Sequence, residues 1–146
     1  MIDIEQVLAA LDAPRHTLRD VPPKLPAKPG WYAIYGDDAA WARLRLGKPR
    51  PDIALYVGKA EDSLLSRDLD DHVGNGRTGS STVRRSFAAL LREPLSLSAM
   101  PRNPAKPGYF ANYGLAPSDD AKLTAWMREH LEVAVWQHNG GVPLRY

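Results

Sequence analysis

The sequence predicts a small α+β domain in which an antiparallel three-stranded sheet is flanked by helices. Three observations carry this reading. The chain has 146 residues, the size of one ordinary domain. Two short aromatic and β-branched runs and one alternating run punctuate it. Between and around them, apolar residues recur at helical spacing. The composition agrees: 44% hydrophobic and 25% charged residues are near the globular average, which excludes a coiled coil, a collagen-like chain and wholesale disorder.

The elements follow in order. Residues 3–12 read as a helix capped by Asp3, with Gln6 in the capping-box place and Ile4, Val7, Leu8 and Leu11 on one face. Pro22, Pro23, Pro26 and Pro29 make an extended stretch, either a linker or a stiff arm. An arm is the better reading, because too few residues precede it to fold alone. The chain therefore divides into a helix and proline-rich arm at 1–28 and a domain at 29–146. Residues 31–35 (Trp-Tyr-Ala-Ile-Tyr) form a first strand and 53–57 (Ile-Ala-Leu-Tyr-Val) a second, stopped by Gly58 and paired antiparallel with the first. Residues 36–52 read as a polar insertion around Trp41 and Leu44.

A helix is expected over 61–73, on Leu65, Leu69 and Val73, followed by a glycine-rich connector at 74–80. Ser81 or Thr82 caps the next helix, which runs to about Arg92 with Val83, Phe87, Leu90 and Leu91 as its stripe. The five prolines of 93–117 mark loops, with a short strand allowed by Tyr109, Phe110 and Tyr113. Ser118 is expected to cap a last helix carrying Asp119 and Asp120 in its first turn. Residues 131–137 alternate as a third strand.

Composition also bounds function. There is no cysteine, hence no disulfide framework, thiolate zinc site or cysteine nucleophile. That fits a reducing compartment, and a cytoplasmic location is expected. No apolar run reaches the roughly 18 residues of a membrane span. The N-terminus lacks the order of a signal peptide. Lys and Arg number 19 against 17 Asp and Glu, a net +2 that is compatible with nucleic acid without demonstrating it. The glycine-rich stretch lacks the Gly-Lys-Ser/Thr ending of a phosphate-binding P-loop. Asp68, Asp70, Asp71 and His72 could be a metal cluster, but a solvated helix face with an Arg67–Asp71 ion pair is the better reading of the aspartates. Histidines at 16, 72, 130 and 138 show no zinc-protease spacing, and no serine sits in a nucleophile elbow.

The informative signal is a combination. Gly30-x-Tyr32 opens the first strand, Tyr56-Val57-Gly58-Lys59 ends the second, and a helix with Arg67 and His72 follows. In this order the pieces resemble the GIY-YIG nuclease superfamily. The likeness continues through Gly79-Ser80-Ser81-Thr82-Val83-Arg84-Arg85 and Leu123-Thr124-Ala125-Trp126-Met127, which are similar to a bacterial subgroup. It spans about residues 29–137.

The resemblance implies hydrolysis of phosphodiester bonds in DNA with Mg²⁺ or Mn²⁺. Tyr32 would activate or position the water, and Tyr56 would orient it or contact the scissile phosphate. Lys59 and Arg67 would bind the phosphate, and His72 would assist proton transfer. The chemistry is coherent, because a tyrosine with a pKa near 10 becomes a usable base only where cations favour its phenolate. Arginine also grips phosphate with a bidentate fork.

Two departures accompany the likeness. The spacing from Tyr32 to Tyr56 is long, which fits the insertion at 36–52. The family's metal glutamate lies on a helix after the third strand, and residues 138–146 contain neither Asp nor Glu. Glu129 and Glu132 do not match its place. The metal ligand is thus unassigned, and a non-catalytic DNA- or protein-binding module is the alternative. Arg77, Arg84 and Arg85, in a window to Lys106 whose only acid is Glu93, are expected to contact the DNA backbone.

Overall fold

The structure is a computed structural model that describes residues 3–12, 15–18, 30–60 and 78–137. The expected helix at 61–73 and the proline-rich arm lie outside these residues. Helix α1 spans Ile4–Asp12, strand β1 His16–Thr17, β2 Gly30–Gly36, helix α2 Asp38–Arg43 and β3 Tyr56–Ala60. A 3₁₀ turn at Thr78–Ser80 leads into α3 at Thr82–Leu90. Then come β4 (Ala99–Met100), β5 (Gly114–Leu115), α4 (Pro117–His130) and β6 (Leu131–Gln137).

The fold is α+β with an antiparallel sheet, and the order within the sheet is β1-β6-β2-β3. The three long strands are the ones the sequence announces. The fourth, β1, adds two residues at the free edge of β6, with His16 opposite Val133 and Thr17 opposite Glu132. Two residues are too few to show alternation, so the sequence carries no sign of it. The hairpin β4–β5 forms a separate ribbon. It takes in Leu115 rather than the aromatic run at 109–113, which lies in the connecting loop.

Three boundaries differ from expectation. The second strand is displaced towards the C-terminus, to 56–60 rather than 53–57. Ile53 closes a turn instead, its N–H donating to the Arg50 carbonyl at 3.0 Å. Gly58 lies inside the strand, not at its end. The polar insertion contains α2, capped by Asp37, whose carboxylate accepts from the Ala40 N–H at 2.7 Å; Trp41 and Leu44 are buried beneath it. Ser118 does not cap α4. Pro117 takes the first helical position and Ala116 the cap, with no side-chain bond there. Proline suits that position because its missing N–H is one the helix cannot pair. By contrast, Asp3 does cap α1 through the Glu5 N–H, and Ser81 caps α3 through the Arg84 N–H at 3.1 Å.

Alternation along the strands sorts the two faces of the sheet. Tyr32, Ile34 and Val133 join the main core with Val83, Phe87 and Leu91 of α3 and its flank, and with Leu123, Trp126 and Met127 of α4. Ala33, Tyr35 and Ala134 form a second, smaller core with Leu11 of α1. The sheet is therefore sandwiched, with α1 on one side and α3 and α4 on the other. On the α1 side, Tyr35 donates its hydroxyl to the Leu11 carbonyl. The Arg15 guanidinium lies 3.5 Å from the centre of the Tyr35 ring.

Candidate active site

The two tyrosine motifs meet where β2 pairs with β3. Tyr32 stands directly opposite Gly58, and Ile34 opposite Tyr56. Opposed residues of antiparallel strands point to one side, so Tyr32 and Tyr56 share the α3/α4 face. Their rings are stacked, with centroids 6.1 Å apart and planes 30° from parallel. Tyr32 is 2% exposed and Tyr56 is half-buried.

This arrangement explains the glycine between them. A Cβ at Gly58 would lie 2.3 Å from Cζ and 2.4 Å from the hydroxyl oxygen of Tyr32. The Tyr32 ring is thus laid across the Gly58 backbone, and no larger residue leaves room for it. The Gly-x-Tyr and Tyr-x-Gly halves form one packing unit, in which the second half supplies the hollow that the first half fills.

Lys59 does not join this pair. It stands opposite Trp31, and Trp31 packs with the second core, on the α1 side of the sheet. The expected convergence of Lys59 with Tyr32 and Tyr56 is corrected by that register. Arg67, His72 and Arg77 lie outside the described residues, as do Asp68, Asp70 and Asp71.

The expectation for Arg84 also changes. Its side chain is fully buried. The guanidinium bonds the Asp120 carboxylate at 2.9 Å and the Asp120 carbonyl at 3.2 Å, and its Nε reaches the Thr78 hydroxyl at 3.2 Å. Thr78 in turn donates to the same Asp120 carboxylate oxygen. Burial lowers the Arg84 pKa from its ordinary value, and the Asp120 carboxylate opposes that shift. Arg84 therefore ties α3 to α4 beneath the 3₁₀ turn and presents no surface to a nucleic acid. A Ser-Thr-x-Arg-Arg run beside a glycine-rich loop reads as an exposed basic patch. The hidden partner, Asp120, looks in the sequence like a dipole-favoured first-turn acid.

Arg85 is half-buried and faces the turn. Its guanidinium donates to the Gly79 carbonyl at 2.8 Å and to the Thr82 hydroxyl at 3.2 Å. Arg102 reaches the same Gly79 carbonyl at 3.1 Å. Two cations thus converge on one backbone oxygen at the turn that leads into α3. Nothing in the sequence marks Arg102 for that place.

Among the described residues no group of three His, Asp or Glu side chains is arranged to hold a metal ion. Glu132 stands opposite Tyr35, on the α1 face. Glu129 lies 3.8 Å from His130. Glu132 is thus on the opposite face of the sheet from the tyrosine pair.

A family model for the GIY-YIG catalytic domain matches residues 48–141. The chain belongs to this family, whose members are of nuclease type. The match takes in β3, α3, α4 and β6 and leaves out β2, whose Tyr32 nevertheless sits in register with the matched Gly58. No curated protein and no solved structure matches the chain. Among the described residues no helix is long and apolar enough to cross a membrane.

Proposed function

We propose that the chain hydrolyses phosphodiester bonds in DNA at the face formed by Tyr32 and Tyr56. The observation that carries this reading is the stacked pair over Gly58, which joins both motif halves on adjacent strands. Tyr32 is held rigidly by burial and positions the attacking water through its hydroxyl. Tyr56, the more exposed of the two, meets the phosphate. Arg67 neutralises the phosphate oxygens, and His72 serves the proton transfers. Lys59 has no part in this arrangement, given its place on the other face. No step is assigned to a metal ion, whose protein ligand is unassigned.

Nicking of supercoiled plasmid, measured with Mg²⁺, with Mn²⁺ and with EDTA, tests the proposal. Tyr32→Phe removes one oxygen and keeps the ring. It is expected to slow cleavage by roughly 100-fold or more, within the usual range for an acid–base group. Arg67→Ala is expected to abolish cleavage. Wild-type rates in both variants would sink the reading. The alternative is a module that binds DNA without cutting it, raised by the sequence, in which no residue matches the place of the family's metal glutamate. DNA binding with no cleavage under any metal condition would establish that alternative.

A further inference from the structure

An open groove of about 510 Å³ lies between α3 and the β4–β5 ribbon. Ala88 and Ala89 of α3 and the buried Leu97 line it. Phe110, Tyr113 and Arg92 also line it. The volume is that of a small-molecule site (about 300–1,000 Å³). Tyr113 is fixed, because its hydroxyl donates to the Arg85 carbonyl. Phe110 is 48% exposed and the neighbouring Tyr109 61%. Aromatic rings left in solvent at a groove mouth are an unusual exposure, and here cations accompany them. Lys106 Nζ lies 5.8 Å from the Tyr109 ring centre, and residues 94–118 carry Arg102 and Lys106 with no Asp or Glu. The carboxylates that flank this stretch are already engaged, Glu93 with Arg45 and Asp119 with Lys122.

A groove lined by two aromatic rings and Arg92, beside a stretch that carries cations and no acid, matches a ligand with a flat apolar body and a negative backbone. We propose that this groove receives an unstacked nucleobase, with Phe110 and Tyr113 against its face and Arg92 on the adjoining phosphate, so that the chain engages single-stranded nucleic acid. An apolar peptide would use the slot but not the cations. A duplex would use the cations but could not place a stacked base in the slot. The inference rests on the nucleic-acid reading above and extends it. The groove and the tyrosine pair lie on the same side of the sheet, since Tyr113 and Leu115 pack against the core that contains Tyr32.

Anisotropy of a labelled oligothymidylate and of a labelled duplex of equal length, titrated in EDTA, tests the proposal without cleavage. The single strand is expected to bind more tightly. Phe110→Ala should weaken it by roughly tenfold, the effect of losing one base–aromatic stack, and leave the duplex unchanged. Phe110→Trp should restore it. Arg92→Ala should reduce the salt slope of single-strand binding by about 0.7, one phosphate contact. Equal affinity for both nucleic acids would overturn the proposal, as would wild-type single-strand binding by Phe110→Ala, or no binding of either. So would an apolar dye in the groove that the oligonucleotide fails to displace, which would assign the slot to an apolar partner. Loss of cleavage in Tyr32→Phe with binding intact bears on catalysis alone. Intact cleavage with single-strand binding indifferent to Phe110 removes only the groove.

Discussion

Gly58 and Arg84 show how much a single position holds here. Gly58→Ala adds one methyl group against a ring that is buried and cannot swing away. The expected cost is about 1–3 kcal/mol of overpacking, seen as a lower urea midpoint, together with a changed near-ultraviolet tyrosine signal. Arg84→Ala leaves the Asp120 carboxylate buried without its cation. A loss of about 3–5 kcal/mol is expected in denaturant unfolding. Adding Asp120→Asn should recover part of that, because the stranded charge goes with it. Folded Arg84→Met protein should bind DNA with an unchanged salt slope; a slope reduced by one contact would contradict the buried assignment.

At the scale of elements, two tyrosines act as pins. Tyr35 fastens α1 to β2 through the Leu11 carbonyl, and Tyr113 fastens the ribbon to α3 through the Arg85 carbonyl. Burial raises the pKa of each above its ordinary value. A raised pKa means that the folded state holds its proton where the unfolded chain has released it. Their contribution is therefore fully present below the unfolded tyrosine value, near 10, and is lost as pH rises through the folded ones. Thermal unfolding from pH 8 to 11 should show stability falling above about 10, and Tyr35→Phe should flatten the fall while costing about 1 kcal/mol at neutral pH. The elements themselves were largely legible. Strands β2 and β6 and helices α1 and α3 follow from alternation, helical spacing and caps, all local signals. The misplaced features depend on partners elsewhere in the chain. β1 exists because β6 has a free edge, and Arg84 looks like a surface cation until Asp120 is brought beside it. For the site, the tyrosines and their glycine were readable as a motif. The side of the sheet taken by Lys59 was not, since one residue of register reverses it.

In the whole molecule, the central strand comes from outside the region that matches the family. β2 lies between β3 and β6, so a chain begun at residue 48 would keep both neighbours and lose what joins them. Such a truncation should show no dispersed amide spectrum and no cooperative melting, whereas native-like dispersion would mean that β3 and β6 can pair directly. The same placement has a consequence in time. On a ribosome, β2 and β3 emerge early and can form a hairpin, but the other edge of β2 must wait for residues 131–137. Gly30 finally pairs with Gln137, roughly a hundred residues further along the chain. Until then the nascent protein carries an open, apolar strand edge, a template for pairing with other chains. Closing so long a loop late also makes for slow folding. The strand that holds the candidate site together is thus the one that leaves the growing chain most exposed to association with its neighbours.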